Sequence, residues 1–285
     1  MSSLAPSKDL LEHKLGRSMG RALGEFSMID DGDRVMVAVS GGKDSYTLLH
    51  LLRAMQRRAP VKFELVVVNI DQGHPGYPGH LLREYMAREG YDFHMIEEDT
   101  FSIVKEKVPE GKTTCSLCSR LRRGILYRVA DELGCQKIAL GHHRDDVIQT
   151  LMLNLLYAGK LSAMPAKLTA DNGRHVVIRP LVYCAEDDIA AFSELLEFPI
   201  LPCNLCGSQE NLQRKAVGRM LDELEAKRPG TKTVMLAALG NVEPTQLLDR
   251  ALLAKLPTMK GESGAADIGA MPIEASTSKR LAVLP

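Results

Sequence analysis

Six residues, Ser40-Gly41-Gly42-Lys43-Asp44-Ser45, follow directly on R-V-M-V-A-V at 34–39 and precede Leu48, Leu49, Leu51, Leu52 and Met55 at helical spacing. The apolar, largely β-branched run reads as a strand buried on both faces, the usual state in a parallel sheet. The glycines therefore fall between a strand and a helix N-terminus, where free backbone N–H groups meet the positive end of the helix dipole. Two glycines let the backbone close on an anion, and Ser40, Lys43 and Ser45 add donors. The chemistry this suits is phosphate binding. A bare Gly-Gly pair would read equally as a tight turn; the whole string in this setting does not. Neither G-x-x-x-x-G-K-S/T nor G-x-G-x-x-G is present.

Four of the six cysteines form two C-x-x-C pairs, Cys115-Ser-Leu-Cys118 and Cys203-Asn-Leu-Cys206. Three chemistries compete for them: a structural zinc site closed by four thiolates, a redox or persulfide-carrying dithiol, and an iron–sulfur cluster. Spacing alone favours zinc. A neighbouring phosphate loop shifts the weight towards a cluster held by three cysteines with one iron left open. Cys135 and Cys184 sit alone in element-like sequence and read as core residues.

A third group is Gly141-His142-His143-Arg144-Asp145-Asp146. Asp145 or Asp146 could hold Mg2+ together with phosphate oxygens, and the histidines could hydrogen-bond nucleotide or substrate. The alternative is an acidic helix start. Asp71 closes a second apolar run, at the kind of strand end where open α/β folds bind ligands; it could equally cap a turn. Lys112, Arg120, Arg122, Arg123 and Arg128 lie within 112–128 with no acid among them, which suits RNA phosphates or a solvated basic face. Gln209, Asn211, Gln213, Arg214 and Lys215 follow the second cysteine pair as further polar candidates.

Periodicity places a helix over 7–26, then strand 35–39, a helix to about 58, strand 62–71, a loop over 72–79, a helix over 80–89 and strand 91–96. The stretch 101–114 reads as a loop presenting the first cysteine pair. After it come helix 119–133, strand 137–140, a helix to 157, a loop over 158–175, strand 176–179 and helices over 185–197 and 210–227. Strands alternating with helices imply an α/β fold, a doubly wound, mostly parallel sheet with helices on both faces. The expected organisation is an N-terminal helical lead-in (1–30), a nucleotide-binding domain carrying the cysteine pairs (31–230), a C-terminal helix (231–256) and a disordered Gly/Ser/Ala/Thr/Pro tail (257–285).

The 285 residues are 45% hydrophobic and 25% charged, ordinary for a globular chain. Lys plus Arg equals Asp plus Glu at 36 each, so only local clustering could support nucleic-acid binding. No run approaches the ~18 apolar residues needed to span a membrane, and the N-terminus has no apolar signal core. A cytoplasmic protein without a membrane partner is expected, its cysteines serving as metal ligands or catalytic thiols rather than disulfides.

The S-G-G-K-D-S string resembles the PP-loop of the ATP pyrophosphatases, which adenylate a carbonyl or amide oxygen and release pyrophosphate. T-T-C-S-L-C-S-R-L-R-R-G-I-L-Y-R at 113–128, G-H-H-R-D-D at 141–146 and P-C-N-L-C-G-S-Q at 202–209 are similar to the TtcA group of PP-loop proteins, the tRNA-cytidine 2-thiolating enzymes. The likeness spans about 10–245.

The resemblance implies an adenine nucleotide alpha hydrolase-like fold. It also implies ATP held by Ser40, Gly41, Gly42, Lys43, Asp44 and Ser45 with Asp71, Gly141 and His142. Lys43, Asp44 and Asp146 would be catalytic, and Mg2+ would sit on Asp145 or Asp146. A 4Fe-4S cluster would be held by three cysteines corresponding to Cys115, Cys118 and Cys206. Cys203 would be an extra thiol, although the residues themselves do not choose between it and Cys206.

The implied reaction adenylates the C2 oxygen of cytidine 32 in the tRNA anticodon loop. Sulfur carried on the open iron then displaces AMP to leave 2-thiocytidine. A loop base needs little unstacking to enter a pocket, and the tRNA candidates are Lys112, Arg120, Arg122, Arg123 and Arg128. A cysteine desulfurase would supply sulfur to a homodimeric enzyme. Alternatives are a uridine thiolase, a lysidine synthetase, or a zinc-stabilised nucleotide-binding module without catalysis.

Overall fold

Val35, Met36 and Val37 are fully buried, and their side chains point alternately to two different cores, as the period of a strand requires. They belong to β1 (Arg34–Ala38) of a computed structural model that describes residues 7–108, 115–170, 173–201 and 212–255. β1 pairs in parallel with β2 (Glu64–Asp71) on one side and with β4 (Lys137–Ala139) on the other. β2 pairs in parallel with β3 (Phe93–Glu97), and β4 with β6 (Val176–Ile178). β5 (Lys167–Thr169) adds an antiparallel edge to β6. The strand order is β3-β2-β1-β4-β6-β5.

The chain leaves β1 through α2 (Lys43–Gln56) to β2, and through α3 (Gly79–Glu89) to β3. It then crosses back through α4 (Thr100–Lys107) and α5 (Cys115–Glu132) to β4, on the far side of β1. The order thus reverses between β1 and β4, and a crevice opens at such a switch point beyond the carboxyl ends of the strands.

Both faces of the sheet are covered. Val35, Val37 and Val67 pack with Leu48, Leu49 and Leu52 of α2, with Leu11, Leu15 and Met19 of α1 (Lys8–Glu25), and with Ile189 and Phe192 of α7 (Glu186–Leu195). Met36, Val66, Val68 and Ile138 pack on the opposite face against Ile125, Val129 and Ala130 of α5. A smaller core joins Ile148 of α6 (Arg144–Tyr157) to Val217 and Leu221 of α8 (Leu212–Lys227). This is the expected doubly wound α/β architecture. By internal contacts the chain divides into residues 1–241, which hold the sheet, and 242–285.

Five expectations change. α1 is no separate lead-in: its apolar stripe joins the main core, and Ser7 Oγ caps it by accepting from Leu10 N. The expected loop 101–114 begins with α4, which Asp99 starts by accepting from Ser102 N. Only Thr100 and Val104 of α4 are buried, too few to make a visible period. α5 begins at Cys115 instead of 119, so the first cysteine pair lies on a helix start.

The expected loop 158–175 contains β5. β5 and β6 form a hairpin, and three strand residues are too few to carry an alternation that can be read. The expected helix over 231–256 is α9 (Thr231–Ala238), a 3-10 turn (Pro244–Gln246) and α10 (Arg250–Leu253). Gly240 and Asn241 follow the end of α9, both poor helix formers, and Pro244 opens the next turn at its first position. The expected tail, 257–285, lies outside the described residues.

Candidate active site

The phosphate loop occupies the crevice edge. Gly41 has φ +83°, a conformation glycine adopts at no steric cost. A Cβ there would lie 2.6 Å from the Leu201 side chain, and Leu201 N donates to Gly41 O at 2.9 Å. Gly42 is the N-cap of α2, and no side chain caps that helix. The loop is closed by Ser45 Oγ donating to Gly42 O at 2.9 Å, with Ser40 Oγ 3.4 Å from Ser45 Oγ. Behind it, buried Asn69 of β2 donates to Val39 O at 2.8 Å and accepts from the Tyr77 hydroxyl at 3.0 Å. A lone amide inside the run E-L-V-V-V-N-I-D is a signal that sequence reading passed over.

Gly141 presses directly on this loop. A Cβ on it would sit 3.1 Å from Asp44 C and Ser45 N. The two motifs are therefore brought together by backbone packing. Lys43 Nζ lies 3.0 Å from both Asp44 Oδ1 and Glu186 Oε1. Burial pulls the ammonium down, but the two carboxylates more than offset it, so its pKa is raised. His143 is buried, with Nε2 3.7 Å from Asp44 Oδ1 and 3.5 Å from Asp146 Oδ2. Asp146 also accepts from His143 N at 3.1 Å, closing the start of α6.

The two acids of this motif separate by environment. Asp145 is buried and its oxygens are occupied. It accepts from Arg144 at 3.3 Å, from Lys232 Nζ at 3.0 Å and from Glu186 N at 3.0 Å. Burial alone would raise this carboxyl, but the Glu186 N–H and the cations hold it below the usual range. It is a structural hub with no oxygen left for Mg2+. Asp146 is more open, with only Arg214 Nη1, at 3.5 Å, on Oδ1 among the described residues, and remains the cation candidate. His142 is pushed down to about 4, by burial first and then by Arg179, His143 and Arg214 against the pull of Asp146. It is a neutral imidazole at pH 7, and its Nδ1 is buried without a hydrogen-bond partner among the described residues.

Asp71 sits at the carboxyl end of β2, and its Oδ1 accepts from Gly73 N at 2.9 Å, closing a turn. Cys118 stands next along the same sheet edge, half-buried in the first turn of α5, with Sγ 3.1 Å from Gln72 Oε1. A thiol at a helix start suits a metal-ligating thiolate, because the helix N-terminus favours the charged sulfur. Cys135 and Cys184 do not: both are buried in the core, burial raises both thiols, and Cys184 reaches about 12. The Cys115 side chain and Cys203, Cys206 and Lys112 lie outside what is described, so no three-ligand set is complete among the described residues. The one implied ligand whose side chain is described, Cys118, is a thiol of the type that ligates iron–sulfur clusters.

Arg120, Arg122 and Arg123 are exposed on α5, whereas Arg128 is held by Glu98 and Glu132. Glu186, Lys232, Leu201 and Gln72, each remote in sequence from the residue it serves, carry no local motif and were not anticipated.

The PP-loop domain family model matches residues 11–199. A tRNA-cytidine(32) 2-sulfurtransferase of Sorangium cellulosum (strain So ce56) is 64% identical over 246 residues, covering 86% of this chain and 87% of the relative. One of Pseudomonas paraeruginosa (strain DSM 24068 / PA7) is 59% identical over 252 residues, covering 88% and 92%. Among solved structures, the U34-tRNA thiolase NcsA from Methanococcus maripaludis, with its 4Fe-4S cluster, matches with a TM-score of 0.65 at 25% identity, covering 83% of this chain and 81% of that one.

Proposed function

The chain belongs to the PP-loop family and, within it, to the tRNA-cytidine(32) 2-sulfurtransferases, and from that premise we propose how its own residues carry out ATP-dependent thiolation of cytidine 32. One observation carries the reading. The phosphate loop at the end of β1 and Cys118 beside the end of β2 share one sheet edge, with Asn69 bonded to Val39 O and Gln72 to Cys118. In this reading nucleotide chemistry and sulfur chemistry would meet across adjacent strands.

In this reading Ser40, Ser45 and the N–H groups at the start of α2 hold the ATP phosphates, as a helix N-terminus favours. Lys43 exchanges Glu186 for phosphate oxygen and stabilises the charge that develops when the cytidine C2 oxygen displaces pyrophosphate. Asp146 would hold Mg2+, which would neutralise phosphate charge; Asp44 and His143 lie beside this carboxylate. Gly141 and His142 pack along the nucleotide, and neutral His142 offers it an uncharged ring. Asp71 bounds the site on the β2 side. Asp145 fixes the crevice by joining α6, α7 and α9 through Glu186 N and Lys232.

Cys118, Cys115 and Cys206 hold the 4Fe-4S cluster, and Cys203 is an additional thiol. When bound, a cluster with three thiolate ligands supplies an iron able to carry sulfide. Arg120, Arg122 and Arg123, with Lys112, contact tRNA phosphates; Arg128 keeps α5 in place. Among the described residues no helix is long and apolar enough to cross a membrane, and we place the enzyme in the cytoplasm with a cysteine desulfurase as sulfur donor. Leu155, Leu156, Tyr157 and Leu161 are exposed apolar side chains near the end of α6, and they support the expected homodimer.

The test is anaerobic purification with iron, sulfide and zinc analysis, followed by nucleoside analysis of tRNA from cells depending on this chain. About four irons and four sulfides per chain and 2-thiocytidine at position 32 are expected. Zinc without iron, or 2-thiouridine in its place, overturns the reading.

A further inference from the structure

We propose that Gln72 is a positioning residue for the iron–sulfur cluster, its side-chain amide donating to the sulfur of Cys118 and thereby raising the cluster's reduction potential. The inference rests on the reading of Cys118 as a cluster ligand.

Gln72 is the first residue beyond β2 and is held at both ends. Its backbone carbonyl accepts from Phe101 N at 3.0 Å. Its Oε1 lies 3.4 Å from the hydroxyl of buried Thr100 and 3.1 Å from Cys118 Sγ. The amide is therefore pinned between α4 and α5 and aimed at one sulfur.

With a thiol at position 118, the S–H donates to Oε1. A cysteine that takes iron gives up that proton, and a carbonyl oxygen would then face a thiolate, acceptor against acceptor. A half-turn of the amide exchanges oxygen and nitrogen in nearly the same space. Nε2 then carries two hydrogens for two acceptors already in place: the sulfur, and the Thr100 hydroxyl, which accepts as readily as it donates. Hydrogen bonds to a cluster's sulfurs are among the terms that set its potential. They favour the reduced, more negative state. A glutamate of the same length could only accept and would repel the thiolate.

The experiment uses the full chain loaded anaerobically. In wild-type protein with 15N in its glutamine side chains, pulsed EPR of the reduced cluster should show a 15N hyperfine coupling. In Gln72→Leu that coupling should vanish. An EPR-monitored redox titration should show Gln72→Leu shifted negative, with the reduced-to-oxidised ratio at the wild-type midpoint falling at least about threefold, where tenfold is 59 mV for one electron. Gln72→Glu should shift further the same way.

An iron-loaded wild type without the coupling, or Gln72→Leu with wild-type potential, overturns the proposal. If Gln72→Leu retains no iron, the labelled wild type alone decides it. A wild-type chain without iron overturns instead the reading of Cys118 as a ligand, and metal analysis tells the two failures apart.

Discussion

Replacing Gly41 by alanine tests whether the phosphate loop and the approach to the second cysteine pair are one mechanical unit. Two costs add. A non-glycine residue at φ +83° pays about 1–2 kcal/mol of left-handed strain. The new methyl would also lie 2.6 Å from Leu201 Cγ and Cδ1. Leu201 is only 5% exposed and tied by its own N–H to Gly41 O, so it cannot recede freely. Overpacking of this kind costs about 1–3 kcal/mol. Together, about 2–5 kcal/mol should be lost, a large share of the ~5–15 kcal/mol of a typical domain.

The assay is urea denaturation of Gly41→Ala, Leu201→Ala and the double variant, with ATP binding measured in parallel. Leu201→Ala alone leaves a cavity costing about 2–5 kcal/mol. In the double variant the added methyl fills part of that cavity, so the two changes should together cost about 1–3 kcal/mol less than their sum. Additivity within about 0.5 kcal/mol would refute the claimed contact. Undiminished ATP binding by Gly41→Ala would refute the role given to this loop.

Lys43→Ala should lose less than about 1 kcal/mol of stability, because its ion pairs with Asp44 and Glu186 are part-exposed, while 2-thiocytidine formation should fall by about 100-fold or more; a normal 2-thiocytidine level in cells carrying only that variant would contradict it. Asp145→Asn should cost about 3–5 kcal/mol by leaving Lys232 and Arg144 without their buried carboxylate, whereas Asp146→Asn should unfold near the wild-type urea midpoint but need more Mg2+ for activity; the reverse pattern would exchange their roles. His142 takes a proton near 6.5 when unfolded but only at about 4 in the fold. The unfolded chain therefore binds more protons between those values, and stability falls as pH drops through that window, by at most about 3 kcal/mol. In His142→Gln, unfolding monitored from pH 7 to 4 should lose that part of the slope.

Some of this was legible from residue order alone. A β-branched run ending in S-G-G-K-D-S announces strand, phosphate loop and helix, because each depends on neighbours in the chain. The alternation of such units implies a parallel, doubly wound sheet, and C-x-x-C pairs announce thiolate chemistry at any site that can gather them. Cys135 and Cys184 were readable as core because each stands alone, without a second cysteine at ligand spacing, in element-like sequence.

Tertiary structure decided what depends on partners far along the chain. Asp145 and Asp146 are adjacent and chemically identical, and only Lys232 and the Glu186 N–H, arriving from other helices, turn one into a structural hub and leave the other open. Leu201 under Gly41 and Gln72 on Cys118 are likewise contacts between remote segments. Local sequence fixes backbone preference and side-chain chemistry; which oxygen, sulfur or methyl is already occupied depends on how separate elements pack, and periodicity within one element carries no record of that.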